Sequence, residues 1–106
     1  MITFVNPKKQ KMASGCERIE LTEEGNWETF PPFAEKYAEQ IGARVVKKIE
    51  APDMHLWEIE YKGIILNFVY DDFPNGVSIE PKDKDGQPAI EKLFKLVSEQ
   101  SEPNGL

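Results

Sequence analysis

Between Met54 and Tyr70, apolar and polar side chains alternate on both sides of the dipeptide Lys62-Gly63. A two-residue connection of this kind closes a tight antiparallel hairpin, so the register follows by counting outward from it. Tyr61 then opposes Ile64, Ile59 opposes Leu66, Trp57 opposes Phe68 and His55 opposes Tyr70. Successive side chains on a strand point to opposite faces, so these eight share one face. The other face receives Met54, Leu56, Glu58, Glu60, Ile65, Asn67, Val69 and Asp71. One face is almost wholly apolar and the other mixed, as in an antiparallel sheet with helices on one side and water on the other. A slip of one residue would put Glu58 and Glu60 among the aromatics, so the register is tightly constrained.

The rest of the chain supplies partners for this ribbon. Ile2–Val5 and Arg18–Leu21 have strand character. Residues 6–17, with Pro, Gly and several Lys, read as a loop or mobile arm. Phe30, Phe33, Ala34, Tyr37, Ala38 and Ile41 form one helical stripe, with Pro31 and Pro32 in the first turn and Gly42 after the last. Asn26 and Thr29 are candidate N-caps. Arg44–Glu50 alternates imperfectly, which predicts a short strand or a bulge. Gly76–Glu80 is a further strand after a turn-rich segment. A second helix runs from about Pro88 to Gln100 on Ile90, Leu93, Phe94 and Val97, capped by Asp85 or Gln87. Residues 101–106 read as a disordered tail. The order is β-β-α-β-β-β-β-α, an α+β two-layer sandwich with a mainly antiparallel sheet and both helices on its aromatic face.

Composition bounds the function. A chain of 106 residues makes one domain, here residues 1–100, and buries enough surface for an unaided core. The net charge of −6 disfavours a general nucleic-acid binder, which needs clustered Lys and Arg. No apolar run approaches the roughly 20 residues of a membrane helix. Ala13-Ser14-Gly15-Cys16 has the look of a lipoprotein cleavage box, but Asn6–Lys11 stands where the apolar stretch of a signal would be. With Cys16 alone there is no disulfide framework, which fits a reducing cytoplasm.

No catalytic set emerges. His55, the sole histidine, is a candidate general base beside Asp53 or a metal ligand with Asp71 or Asp72. The competing reading is a histidine at the edge of the core that donates to a backbone carbonyl, and one imidazole among loop carboxylates favours it. Asp83 and Asp85 begin like a calcium loop, but the closing acid is absent, and turn formation accounts for them. Serines lack a nucleophile elbow, glycines do not form a phosphate loop, and Trp27, Phe30, Trp57 and Phe68 point toward one another as core. The expectation is no metal and no cofactor.

The remaining feature is the mixed sheet face, where Met54, Leu56, Ile65 and Val69 are bordered by Glu58, Glu60, Asn67 and Asp71. Apolar patches rimmed by polar residues mark contacts with partners, unless Ile2–Val5 or Arg18–Leu21 covers this one. The pattern Asp53-x-His55-x-Trp57-x-Ile59-x-Tyr61, followed by Lys62-Gly63 and Ile64-Ile65-Leu66, resembles a small bacterial family of cytoplasmic α+β domains of unknown function. The likeness spans Arg44 to Val97; the Asn6–Gly15 arm and the Pro31-Pro32 pair have no counterpart. The resemblance implies a fold and carries no activity. The expected function is a non-catalytic binding or regulatory domain acting through protein–protein contact at that face, with an unidentified partner or a second copy of itself. The alternatives are an immunity-type inhibitor of a basic toxin or nuclease, and a small enzyme or metal-binding protein built on His55.

Overall fold

The computed structural model describes residues 5–23, 25–72 and 75–100. Strands β4 (Met54–Tyr61) and β5 (Ile64–Asp72) pair in the register counted above, with Trp57 opposite Phe68 and His55 opposite Tyr70. Lys62 and Gly63 have φ of 52° and 83°. Two left-handed residues in succession give a turn whose twist matches that of the strands it joins. Of the eight residues assigned to the dry face, all are buried except Ile64, which flanks the turn and is 37% exposed.

The sheet has six strands, in the order β1-β2-β6-β5-β4-β3 and antiparallel throughout. Strand β3 (Ala43–Ala51) is one edge, and it carries the expected bulge between Val45 and Lys47. Strand β6 (Asn75–Pro81) is next to β5, and β2 (Glu17–Thr22) is next to β6. The other edge corrects the sequence reading. The segment taken as a loop or arm contains β1 (Lys8–Lys11), paired with β2. Its sequence Lys-Lys-Gln-Lys is exposed at all four positions, so no apolar alternation announces it. Lysines on an edge strand discourage pairing with other chains. Lys9 also ties the strand down, with its amine 5.5 Å above the Phe94 ring and 2.6 Å from Glu91 Oε1. That hydrogen bond holds the Glu91 carboxyl below the usual carboxylate range. Of the predicted first strand, Ile2 to Phe4 lies outside the described residues, as does the 101–106 tail, while Val5 packs against the core.

Both helices pack on the dry face. Helix α1 (Phe30–Gln40) lies over β3 and buries Phe30, Ala34, Tyr37 and Ala38. Proline occupies its first turn, and Asn26 and Thr29 bond reciprocally ahead of it, Thr29 N–H donating to Asn26 Oδ1 at 2.8 Å and Asn26 N–H to Thr29 Oγ1 at 3.0 Å. Gly42, at φ 81°, follows the helix as anticipated. Helix α2 (Gln87–Gln100) lies over β2 and β6 and buries Ile90, Leu93 and Val97. Gln87, one of the two cap candidates, is the first residue of the helix, and its Oε1 accepts from Glu17 N–H at 2.7 Å. A short 3₁₀ turn, Lys84–Gly86, leads in, and Asp83 caps that turn by accepting from Asp85 N–H at 2.9 Å.

Phe30 is the contact point of the two layers. Its ring centroid is 5.2 Å from Trp57, 5.4 Å from Phe68 and 6.1 Å from Tyr70. Edge-to-face aromatic pairs of this kind add to the burial energy itself. Phe30→Ala is expected to lower unfolding free energy by about 3–5 kcal/mol, measured by urea denaturation. Lys62→Asn is expected to raise it by about 0.5–1 kcal/mol, since Asn tolerates the left-handed turn position better than Lys.

Candidate functional site: the open sheet face

The sheet register lays out the face opposite the helices. Ser78, Val69, Leu56 and Ile49 stand side by side across β6, β5, β4 and β3. The adjacent row holds Glu80, Asn67, Glu58 and Lys47, with Arg18 of β2 bonded to Glu80. All eight residues singled out from the sequence lie on this face. Met54, Leu56, Glu58, Glu60, Ile65, Asn67 and Asp71 are half-buried, whereas Val69 is only 2% exposed. Val69 sits on a middle strand between Leu56 and Ser78, and its neighbours seal it. Among the described residues no element covers the face: Arg18–Leu21 belongs to β2 and extends the sheet beside it.

The charges on this face are largely cancelled within it. Arg18 Nη1 lies 3.1 Å from Glu80 and its Nη2 lies 3.9 Å from Glu20. Lys82 Nζ reaches Glu58 at 3.0 Å, and Arg44 Nη2 reaches Glu60 at 2.8 Å. Sequence reading caught the acids of the hairpin, Glu58, Glu60 and Asp71, but missed Glu20, Glu80 and these cations, because they come from β2, β3 and β6 or its end and join the face only through the strand order. Ile49, 40% exposed, was missed for the same reason. Arg18 Nε and Asn67 Oδ1 are buried without a hydrogen-bond partner among the described residues. Asp71 is the acid of this face with no cation at ion-pair distance among the described residues. Burial pushes its carboxyl up, the nearby Asp53 adds to this, and Arg18 partly offsets it. It borders a hollow of about 430 Å³ with Asn75, Gly76 and Ser78.

His55 is in the core, 1% exposed. Trp27 stacks on its ring with centroids 3.7 Å apart, and Phe30 stacks on it at 5.2 Å. Its Nε2 lies 3.1 Å from the Trp27 carbonyl, so Nε2 carries the proton and donates. Nδ1 is 3.4 Å from Glu50 Oε2 but lacks hydrogen-bond geometry. The proposed orienting residue, Asp53, instead accepts the Asp72 N–H at its backbone carbonyl, at 3.1 Å. Asp72 Oδ1 accepts from the Tyr70 hydroxyl at 3.1 Å. The imidazole is thus roofed by rings and pinned to a backbone carbonyl. Among the described residues no three His, Cys, Asp or Glu side chains are arranged to hold a metal ion. Nor, among them, is any helix long and apolar enough to cross a membrane.

A second depression, about 550 Å³, runs along α1 past Pro32, Phe33, Lys36 and Tyr37. Burial pushes the Tyr37 hydroxyl up to about 12, so it stays protonated and offers a donor rather than a base.

A six-stranded antiparallel sheet with both helices on one of its faces defines a two-layer α+β domain. The family described as "Protein of unknown function (DUF3630)" matches residues 8–98, and the chain belongs to it. No curated protein and no solved structure matches the chain.

The Asp71 environment makes a testable statement about pH. A carboxyl pushed up in the folded state favours folding while protonated, and that contribution fades as pH rises through its folded value. Asp71→Asn is therefore expected to stabilise the protein at neutral pH. The gain should shrink as the solution is acidified through the carboxylate range, as measured by urea midpoints across pH.

Proposed function

We propose that the chain is a non-catalytic binding domain that acts through its open sheet face, and that the occupant of this face is a second copy of the chain. One observation carries the reading. Arg18 is shared by Glu20 and Glu80, Arg44 pairs with Glu60 and Lys82 with Glu58, and Lys47 stands opposite Glu58, so the charges of the face nearly balance while the chain as a whole carries −6. Two copies approaching on their other surfaces repel one another. On this surface they meet with little net repulsion, around half-buried Met54, Leu56 and Ile65 and exposed Ile49. A two-fold axis makes such a patch its own complement.

The immunity-type alternative is less well supported here, since a basic toxin needs several free acids and on this face Asp71 alone is left without a cation among the described residues. The enzyme reading finds its imidazole beneath Trp27. A single thiol, Cys16, with no disulfide fits a cytoplasmic setting.

Sedimentation equilibrium tests the proposal. The wild-type protein should dimerise, and Leu56→Glu and Ile49→Glu should each weaken the dimer at least about tenfold by burying an unpaired carboxylate. Ile49 is 40% exposed, so its variant should keep the wild-type far-ultraviolet circular dichroism. A wild-type protein that stays monomeric, or a dimer indifferent to both changes, would overturn the proposal.

A further inference from the structure

On the helical side, away from the open face, the β4–β5 turn meets the end of α1 and the outer surface of α2 around a hollow of about 420 Å³. Its floor is apolar, made of Ile41 and Tyr61, both buried, and half-buried Leu96. Its rim carries Lys62, Lys92 and Lys95, with Glu99 as the one acid lining it. We propose that this hollow binds an organic phosphate: a phosphate monoester held by the three lysines, with the apolar body it is attached to lying on Tyr61 and Leu96.

Two independent features support this. The first is electrostatic. Five cations elsewhere are paired, Lys9 with Glu91, Arg18 with Glu80, Arg44 with Glu60, Lys48 with Glu35 and Lys82 with Glu58, and among the described residues those without a pair, such as Lys11, Lys36 and Lys84, line no common hollow with one another. Among the described residues Lys62, Lys92 and Lys95 have no carboxylate at ion-pair distance, yet they gather in one place. Like charges brought together raise the local potential and attract a counter-charge. Lysine amines bind phosphate as point charges, and three of them suit a dianion better than a single carboxylate.

The second feature is conformational. Lys62 is the sole non-glycine residue with positive φ among the described residues, at 52°. Turns of this shape favour Asn at that position. A long cation there is strained, and it sits with its amine 5.6 Å from the Tyr61 ring centroid, at the edge of the hollow. Strained residues held at one spot are a recurrent mark of function. A role limited to balancing the carbonyl end of α1 predicts something different: an effect on stability, and no ligand.

Two-dimensional amide NMR on the full chain distinguishes them, with phenyl phosphate as probe and phenol, benzoate and inorganic phosphate as comparison arms. Phenyl phosphate should shift the Lys62, Gly63 and Leu96 signals. Lys92→Gln and Lys95→Gln should each weaken it about threefold, and together about tenfold. Phenol should leave those signals in place, and benzoate and inorganic phosphate should bind more weakly than phenyl phosphate. Lys62→Asn is the decisive variant, since it should lose affinity in a protein at least as stable as wild type, so misfolding cannot explain the loss. Shifts confined to other regions, or affinity unchanged in the lysine variants, would overturn the site. Benzoate or inorganic phosphate binding as tightly would overturn the ligand class, and phenol binding as tightly would overturn the role of the lysines. None of these outcomes bears on dimerisation through the opposite face.

Discussion

The structure depends on the two left-handed residues at the β4–β5 turn, because they set the parity of every position on the two central strands. With Tyr61 opposite Ile64, the rings of Trp57, Phe68 and Tyr70 all fall beneath α1 and gather at Phe30. A shift of one residue would put Glu58, Glu60 and Asn67 there instead. Burying even one unpaired carboxylate costs several kcal/mol, comparable to the whole stability of a domain of this size. The outer strands then have little choice, since β3 and β6 must present their apolar residues to the side the hairpin has already chosen.

This explains what was legible in the chain and what was not. The hairpin, both helices, the bulge in β3 and the residues of each hairpin face could be read because burial imprints a period of two or of 3.6 on the sequence. Strand β1 could not, because all four of its residues are exposed and nothing about Lys-Lys-Gln-Lys requires a sheet. It is held by its ladder with β2 and by one lysine on α2, both of them products of tertiary structure. The composition of the open face was half legible for a related reason. Glu58, Glu60 and Asp71 lie on the hairpin, where register can be counted, whereas Arg18, Glu20, Arg44, Lys47, Glu80 and Lys82 join the face only through the pairing of the other strands with it.

His55 shows how burial decides between two chemical readings of one residue. Its position opposite Tyr70 was predictable, but its partner was not. Trp27, in the turn before α1, supplies both the stacked ring and the carbonyl acceptor. A general base needs an open path from its lone pair to a substrate proton. Here Nδ1 is buried beside Glu50, and Trp27 and Phe30 both stack on the ring. The aspartates nearby are likewise engaged in turn chemistry.

What remains exposed is divided by electrostatics rather than by shape. The excess acid of the chain resides on helices and loops, at exposed residues such as Glu39, Asp53, Asp83 and Asp85. On the open sheet face that excess is largely cancelled, because Arg18, Arg44 and Lys82, from β2, β3 and the end of β6, meet Glu20, Glu80, Glu60 and Glu58 there. At the far end of α2 it reverses, with three lysines over an apolar floor. Simple solubility would be served by acids spread evenly over the surface. A neutral apolar plane and a cationic hollow, set on opposite faces of one small domain, instead leave two surfaces suited to different occupants. In the proposals made above, the first takes a second copy of the chain and the second an organic phosphate, and their separation would let both be filled at once.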